Sequence, residues 1–216
     1  MDKELIFKKY MDGILSWNEK INLTAITDPE EFYIKHIIDS LSITDLEEYK
    51  RAKKVIDIGT GGGFPGAILA INNPEKEFVL LDSLKKRLNV IDELLKEVEI
   101  GNAKTLHSRV EDAGMSKEYR GTFDLALTRA VSSMPVLLEY ALPLLKVNGF
   151  FIAYKGEEEE DFNNALNILG GELVRIEDAK MEKYGISHRF IIIKKTKETP
   201  KKYPRKAGTP LKNPLK

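Results

Sequence analysis

From Lys53 to Gly170 short β-branched runs alternate with segments of helical period, and this alternation limits the possible folds more than any other feature of the chain. "KKVIDI" reads as a strand ended by glycines and "PGAILAIN" as the helix after it. "EFVLLDS", "AKTLHS", "FDLALTRA" and "GFFIAYK" read as four more strands. Between them "LKKRLNVIDELLKEVE" and "SMPVLLEYALPLLK" carry helical spacing, and "EEEEDFNNALNILG" predicts a helix with acids in its first turn, where the dipole favours them. Strands and helices in strict turn fold as a parallel, doubly wound sheet. "GELVRIEDAKM" and "SHRFIIIKKT" follow without a helix between them, which predicts a closing antiparallel hairpin. The leading residues lack strand patterning. Leu5, Ile6, Tyr10, Ile14, Leu15 and Trp17 fall at helical spacing, "TDPEEFYIKHIIDSL" opens with a cap and a proline, and a third short helix is expected over 40–49. The expected fold is therefore α/β: a doubly wound, mostly parallel seven-stranded Rossmann-like sheet with an antiparallel C-terminal hairpin and an N-terminal helical extension. The expected division is 1–50 for the extension, 51–196 for the sheet domain and 197–216 for a tail.

Composition excludes several chemistries. The chain has no cysteine, so it has no disulfide framework, thiolate metal site or cysteine nucleophile, and no metal ligand set is expected. "MDKELIFKKY" mixes charge into every turn and reads neither as a signal peptide nor as a span, so a cytoplasmic location without membrane contact is expected. Net charge is zero, from 34 basic and 34 acidic residues, but residues 194–216 hold nine Lys or Arg against Glu198 alone. A basic segment on an acidic body suggests nucleic-acid contact, with a solvated tail as the bland alternative.

"VIDIGTGGGFPG" gives the fold its chemistry. In a doubly wound sheet the ligand lies beyond the C-terminal ends of the strands, and glycines after the first strand let it lie on the backbone. Gly61, Gly63 and Gly66 formally match the dinucleotide pattern G-x-G-x-x-G, but that match starts late in the turn and leaves Asp57 without a task. Asp57, Gly59, Gly61 and Gly63 form D-x-G-x-G-x-G, which resembles the first motif of class I S-adenosylmethionine-dependent methyltransferases. A carboxylate at Asp57 receives an ammonium, directly or through water, where it would repel a pyrophosphate. Asp82 ends the second strand, where an acid accepts ribose hydroxyls or caps the next helix. In methyltransferases the segment after the third strand lies against adenine, which makes the backbone of Val110 and Glu111 a candidate reader of the base edge, with an acidic helix start as the equal alternative. Arg129 ends the fourth strand over the cleft, to bind the ligand's carboxylate, a phosphate or a guanine edge, or to pair with Asp57 or Asp124.

"WNEKINLTAITDPEEFYIKHIIDSL", "DIGTGGGFPG", "LLDSLKKR", "TRAV" and "YPRKAGTPLKNPL" together resemble the ribosomal RNA small-subunit methyltransferase G family, also called glucose-inhibited division protein B, over essentially the whole chain. The resemblance implies N7-methylation of one guanine in 16S ribosomal RNA with S-adenosylmethionine as donor. It places the ligand positions at Gly59, Phe64, Val110, Glu111 and Arg129. It implies as partner the RNA or a small-subunit precursor; a monomer is expected, though nothing in the sequence fixes the oligomeric state. Guanine N7 carries a lone pair and no proton, so no general base is needed, in keeping with only three histidines. Arg129 is the candidate catalytic residue, acting by alignment. Lys155, Lys201, Arg205 and Lys206 are candidates for RNA phosphate contact. His36 and Asp39, three apart on one helix face, serve either a structural hydrogen bond or the cleft, and His188 is expected at the surface or facing RNA. A small-molecule methyltransferase and a non-catalytic RNA- or nucleotide-binding protein are the competing readings.

Overall fold

The computed structural model describes residues 2–129 and 132–215. Helix α1, Lys3–Asn18, is capped by Asp2, whose carboxylate accepts from Glu4 N. Helix α2, Pro29–Phe32, starts on Asp28, which accepts from Glu31 N, and runs through a π-helical stretch, Tyr33–Ile38, into α3, Asp39–Leu41. Helix α4 is Glu47–Arg51. The alternating part then follows as β1 (Lys54–Ile58), α5 (Gly66–Asn72), β2 (Glu77–Asp82), α6 (Lys85–Glu97), β3 (Ala103–His107), α7 (Val110–Met115), β4 (Phe123–Arg129), α8 (Met134–Ala141), β5 (Leu145–Lys155) and α9 (Asn163–Leu169). Strands β6 (Gly171–Asp178) and β7 (Arg189–Lys195) and a final turn of helix, α10 (Thr209–Lys212), complete the chain.

The seven strands form one sheet in the order β3-β2-β1-β4-β5-β7-β6. The first five are parallel, and β7 lies antiparallel between β5 and β6, as expected of the hairpin. The period-two pattern divides the core into two layers. Val55, Leu80, Leu125 and Leu127 face α1, α5 and α6, while Ile56, Val79, Leu81 and Ala126 face α7, α8 and α9. The neighbours of β1 are β2 on one side and β4 on the other, so the connecting chains leave in opposite directions and a crevice opens beyond the ends of β1 and β4. Residues of the leading helices, among them Tyr10, Ile14 and Phe32, share one core with Ala67 and Leu94, so packing is continuous across residue 50.

Three expected elements differ. The third short helix is confined to 47–51, because the hydroxyls of Ser42 and Thr44 bond to the carbonyls of Asp39 and Leu41 and hold 42–46 in turns. Helix α8 stops at Ala141, ahead of Pro143, which has no N–H to continue it, and β5 starts at Leu145 rather than at Gly149. The acids 157–161 stay outside α9. Glu160 instead accepts from Met134 N at 2.6 Å, so the carboxylate sits at the start of α8, another helix than the one expected.

The glycine turn is locked to the leading helix. Tyr10, fully buried, donates its hydroxyl to Gly62 O at 3.1 Å. Gly63 has φ +93°, and a Cβ built there would lie 2.2 Å from the Tyr10 hydroxyl oxygen. A side chain at 63 thus meets a disfavoured backbone conformation and a neighbour held by packing. Gly63→Ala is expected to lower unfolding free energy by about 3 kcal/mol, from strain plus overpacking, read as a shift of the urea midpoint at constant slope.

Candidate active site

At the end of β1 the chain turns through Gly59, Gly61 and Gly63, all at positive φ. Asp57 sits beneath this turn and is fully buried. Its Oδ2 accepts from Thr60 Oγ1 at 2.6 Å and Gly66 N at 2.9 Å, while Oδ1 has no partner. Burial pushes its carboxyl up to about 6, against the opposing effect of the Thr60 and Gly66 hydrogen bonds. Asp82 reaches across from β2. Its Oδ2 accepts from Gly61 N at 3.0 Å and its Oδ1 from Leu84 N at 2.8 Å, so one carboxylate ties the glycine turn to the residue that precedes α6, without capping the helix itself. A Cβ at Gly61 would meet nothing closer than Gly59 O at 4.0 Å, so the space over the turn is open.

Two hollows adjoin over this turn and share Gly59 and Arg129 as lining. The larger, about 550 Å³, is walled by Thr24, His36, Asp39 and Phe64 as well. Its polar groups form one chain. Arg129 Nη1 donates to Asp39 Oδ2 at 2.7 Å and to Lys35 O at 3.0 Å, and Nη2 donates to His36 Nδ1 at 2.9 Å. Asp39 Oδ1 is bound by His188 Nε2 at 2.5 Å, and His36 Nε2 meets Thr24 Oγ1 at 2.7 Å. The His36 ring stacks on Phe64 with centroids 4.3 Å apart, and the Arg129 guanidinium lies 5.7 Å from the same ring. Burial and the neighbouring guanidinium push His36 down to about 3, so it is neutral near pH 7. Burial would raise Asp39, but the hydrogen bond from His188 and the charge of Arg129 prevail and hold it below the usual carboxylate range.

Arg129 therefore pairs with Asp39, not with Asp57 or Asp124. The sequence placed both ends of this contact but not the contact itself. His188 is not at the surface: its side chain is 12% exposed and closes the far side of Asp39. No local pattern links positions 149 residues apart.

The smaller hollow, about 370 Å³, is lined by Asp82, Val110, Glu111, Arg109 and Tyr140, and by Leu211 from α10. The C-terminal segment is thus part of the wall. Arg120 Nη1 and Nη2 bond to the carbonyls of Tyr203 and Thr199. Glu139 is fully buried and receives Nε and Nη2 of Arg205, the latter at 2.6 Å, together with Arg205 N at 2.7 Å. Gly208 N donates to Glu111 Oε1 at 2.7 Å. Arg205, read as a phosphate contact, instead neutralises a buried carboxylate. Lys155 is similarly engaged, with Nζ 2.6 Å from Glu160 Oε1 and 3.0 Å from Ser132 O. Lys201 and Lys206 remain exposed. Among the described residues no His, Cys, Asp and Glu cluster fit to hold a metal ion is present, and no helix is long and apolar enough to cross a membrane.

A seven-stranded sheet in this order, with a glycine turn and an acid at the end of the second strand facing one crevice, is the architecture of class I methyltransferases. Similar folds include cofactor-bound Rv0187 from MTB, at TM-score 0.61, 17% identity and 88% and 90% coverage of this chain and that one. Another is a Brevibacillus brevis polyketide-synthase O-methyltransferase in complex with S-adenosyl-L-homocysteine, at TM-score 0.55, 14% identity and 75% and 72% coverage. The family model for GidB, rRNA small subunit methyltransferase G, matches residues 3–182, and the ribosomal RNA small subunit methyltransferase G of Clostridium perfringens (strain 13 / Type A) is 48% identical over all of this chain and 92% of that protein. The chain belongs to this family: it is an rRNA methyltransferase, and S-adenosylmethionine is its methyl donor. An open turn over Gly61 and an unpartnered oxygen on buried Asp57 are compatible with a ligand that carries an ammonium and a ribose.

The tail's role as a wall has a direct test. Arg205→Ala leaves the Glu139 carboxylate buried without its cation and is expected to lower stability by about 3 kcal/mol, read by calorimetry. The same change is expected to weaken S-adenosylhomocysteine binding severalfold by loosening the segment that carries Gly208 and Leu211. Arg205→Lys should restore only part of both losses, because an ammonium cannot supply the paired donors of the guanidinium.

Proposed function

We propose that the protein transfers the methyl group of S-adenosylmethionine to N7 of one guanine in 16S ribosomal RNA, in free RNA or in a precursor of the small subunit. One observation carries this reading: every acid–base side chain lining the larger hollow is already engaged. Both nitrogens of His36 are engaged, by Arg129 and Thr24, both oxygens of Asp39 by Arg129 and His188, and Lys35 pairs with Glu31 at 2.6 Å. The remaining ring nitrogen of His188 is buried away from solvent. Such a site suits a nucleophile that has no proton to lose, and N7 of guanine is one.

When bound, the donor supplies an electrophilic methyl on a sulfonium: the N7 lone pair forms the new bond and the carbon–sulfur pair leaves on sulfur. The protein's part is alignment and exclusion of water. In this reading the turn Gly59, Gly61 and Gly63 carries the donor's backbone end with Phe64 against it. Asp57 supports its ammonium from below, Asp82 its ribose, and the main chain of Val110 and Glu111 its adenine. Arg129 borders both hollows, and its pairing with Asp39 leaves the region near neutral, so the positive charge that develops on the methylated base is not opposed. Its rigid fork is what holds that geometry.

N7 lies in the deep groove of an A-form helix, so the target must be presented from a loop or splayed out. Lys201 and Lys206 remain candidates for phosphate contact, and Arg87 and Arg109 on the rim of the smaller hollow join them. Lys155 and Arg205 are better explained by their internal partners.

Incubating small-subunit RNA from cells lacking this activity with labelled donor and the protein, then digesting to nucleosides, is expected to place the label in N7-methylguanosine. Label in another nucleoside, or none in RNA, would reject the reading. RNA affinity is expected to fall steeply with salt, and Lys201→Glu with Lys206→Glu should reduce the log–log slope by about one to two. An unchanged slope would remove both residues from the interface.

A further inference from the structure

We infer that Thr24 is the residue that selects the target base, its hydroxyl acting as a fixed hydrogen-bond donor to the guanine O6, with His36 as the positioning residue that fixes it. This rests on the N7 reading above.

The argument is a count of protons along the chain of contacts. A guanidinium has donors only, so Arg129 Nη2, 2.9 Å from His36 Nδ1, donates to it, and that nitrogen presents a lone pair. A neutral imidazole with an accepting Nδ1 carries its proton on Nε2. His36 Nε2 therefore donates to Thr24 Oγ1 across 2.7 Å. The same oxygen accepts from Ile26 N at 3.1 Å. Both lone pairs of the hydroxyl are then in use, and the O–H proton has no acceptor among the described residues. Thr24 lines the larger hollow together with Gly61 and Arg129, and there its hydroxyl can only donate.

The backbone holding this hydroxyl is fixed on both sides. Asn18 Oδ1 accepts from Leu23 N at 2.8 Å and Thr24 N at 3.0 Å, and Asn18 Nδ2 donates to Thr24 O at 2.9 Å. His36 is held between Arg129 and the Phe64 ring. The donor thus sits on a rigid arm beside the methyl-transfer cleft.

A donor-only group next to N7 distinguishes the purines. Guanine presents O6, an acceptor, beside N7. Adenine presents an amino group there, and two donors would face each other. The hydroxyl leaves N7 itself free to react.

The test uses the full-length protein and an RNA carrying the guanosine mapped in the wild-type product, either unmodified or with sulfur in place of O6. Thr24→Val should reduce kcat/KM on the unmodified RNA by about tenfold, the size of one neutral hydrogen bond, and leave S-adenosylhomocysteine affinity unchanged. Thr24→Ser should restore most of the rate. Sulfur, a weak acceptor, should slow the wild type to a similar degree and leave Thr24→Val nearly unaffected. His36→Phe should give a loss like that of Thr24→Val, and the double variant should be no worse than either. Equal sulfur effects in wild type and Thr24→Val, additive losses in the double variant, or a loss traced to S-adenosylhomocysteine affinity would each overturn the assignment. Absence of N7-methylguanosine from the wild-type product would defeat the N7 reading first, before any variant is compared.

Discussion

One carboxylate joins three parts of the chain that sequence keeps far apart. Asp39, at the end of the π-helical stretch, receives Arg129 from the end of β4 and His188 from the segment before β7, at 2.7 and 2.5 Å. Only 5% of Asp39 is exposed, so the ion pair lies where desolvation opposes it and any unpaired charge is costly. That cost makes the arrangement specific. Each partner needs the others in place, and the helical extension cannot shift against the sheet without leaving a charge stranded. The site is therefore assembled at a junction, with the turn of β1 as its floor and the helical extension as its wall.

The π-helical stretch helps explain how the extension reaches the sheet. The stretch Tyr33–Ile38 is π-helical, and from it and the residue that follows, His36 and Asp39 both reach Arg129. Phe64, at the start of the helix after the turn, then stacks with His36 and meets Phe32 edge-on. The floor and wall of the cleft are thus bonded through aromatic packing as well as charge. Gly63 completes the fit from below, where Tyr10 takes the space that a side chain would need while its hydroxyl bonds to Gly62 O.

The sheet and most of its helices were legible because their patterns are local. Val55, Ile56 and Ile58 in β1 and the period of α6 announce themselves within a few residues, and the glycines after β1 mark the turn without reference to anything distant. The misread elements depend on partners elsewhere. The acids at 157–161 look like a helix start until Lys155 and the first N–H of α8 are seen beside Glu160. The spacing of His36 and Asp39 placed them on one face, but the order of contacts, with Arg129 between them, needed the fold. Nothing local marks Thr24, because the meaning of its hydroxyl depends on the tautomer of a ring twelve residues away.

The C-terminal segment gives the clearest case of charge counted without geometry. Its cations suggested a free arm for nucleic acid, yet Arg205 is consumed by Glu139, and the main chain beside it by Glu111. Charge that neutralises a buried acid contributes little to the field outside. The outward-facing charge of the segment is therefore smaller than the composition implies, and it is carried by exposed lysines such as Lys201 and Lys206. The segment both walls the hollow bordered by Asp82, through Leu211, and carries exposed cations at Lys201 and Lys206, so the hollow and these outward charges share one stretch of backbone anchored by Glu139 and Glu111.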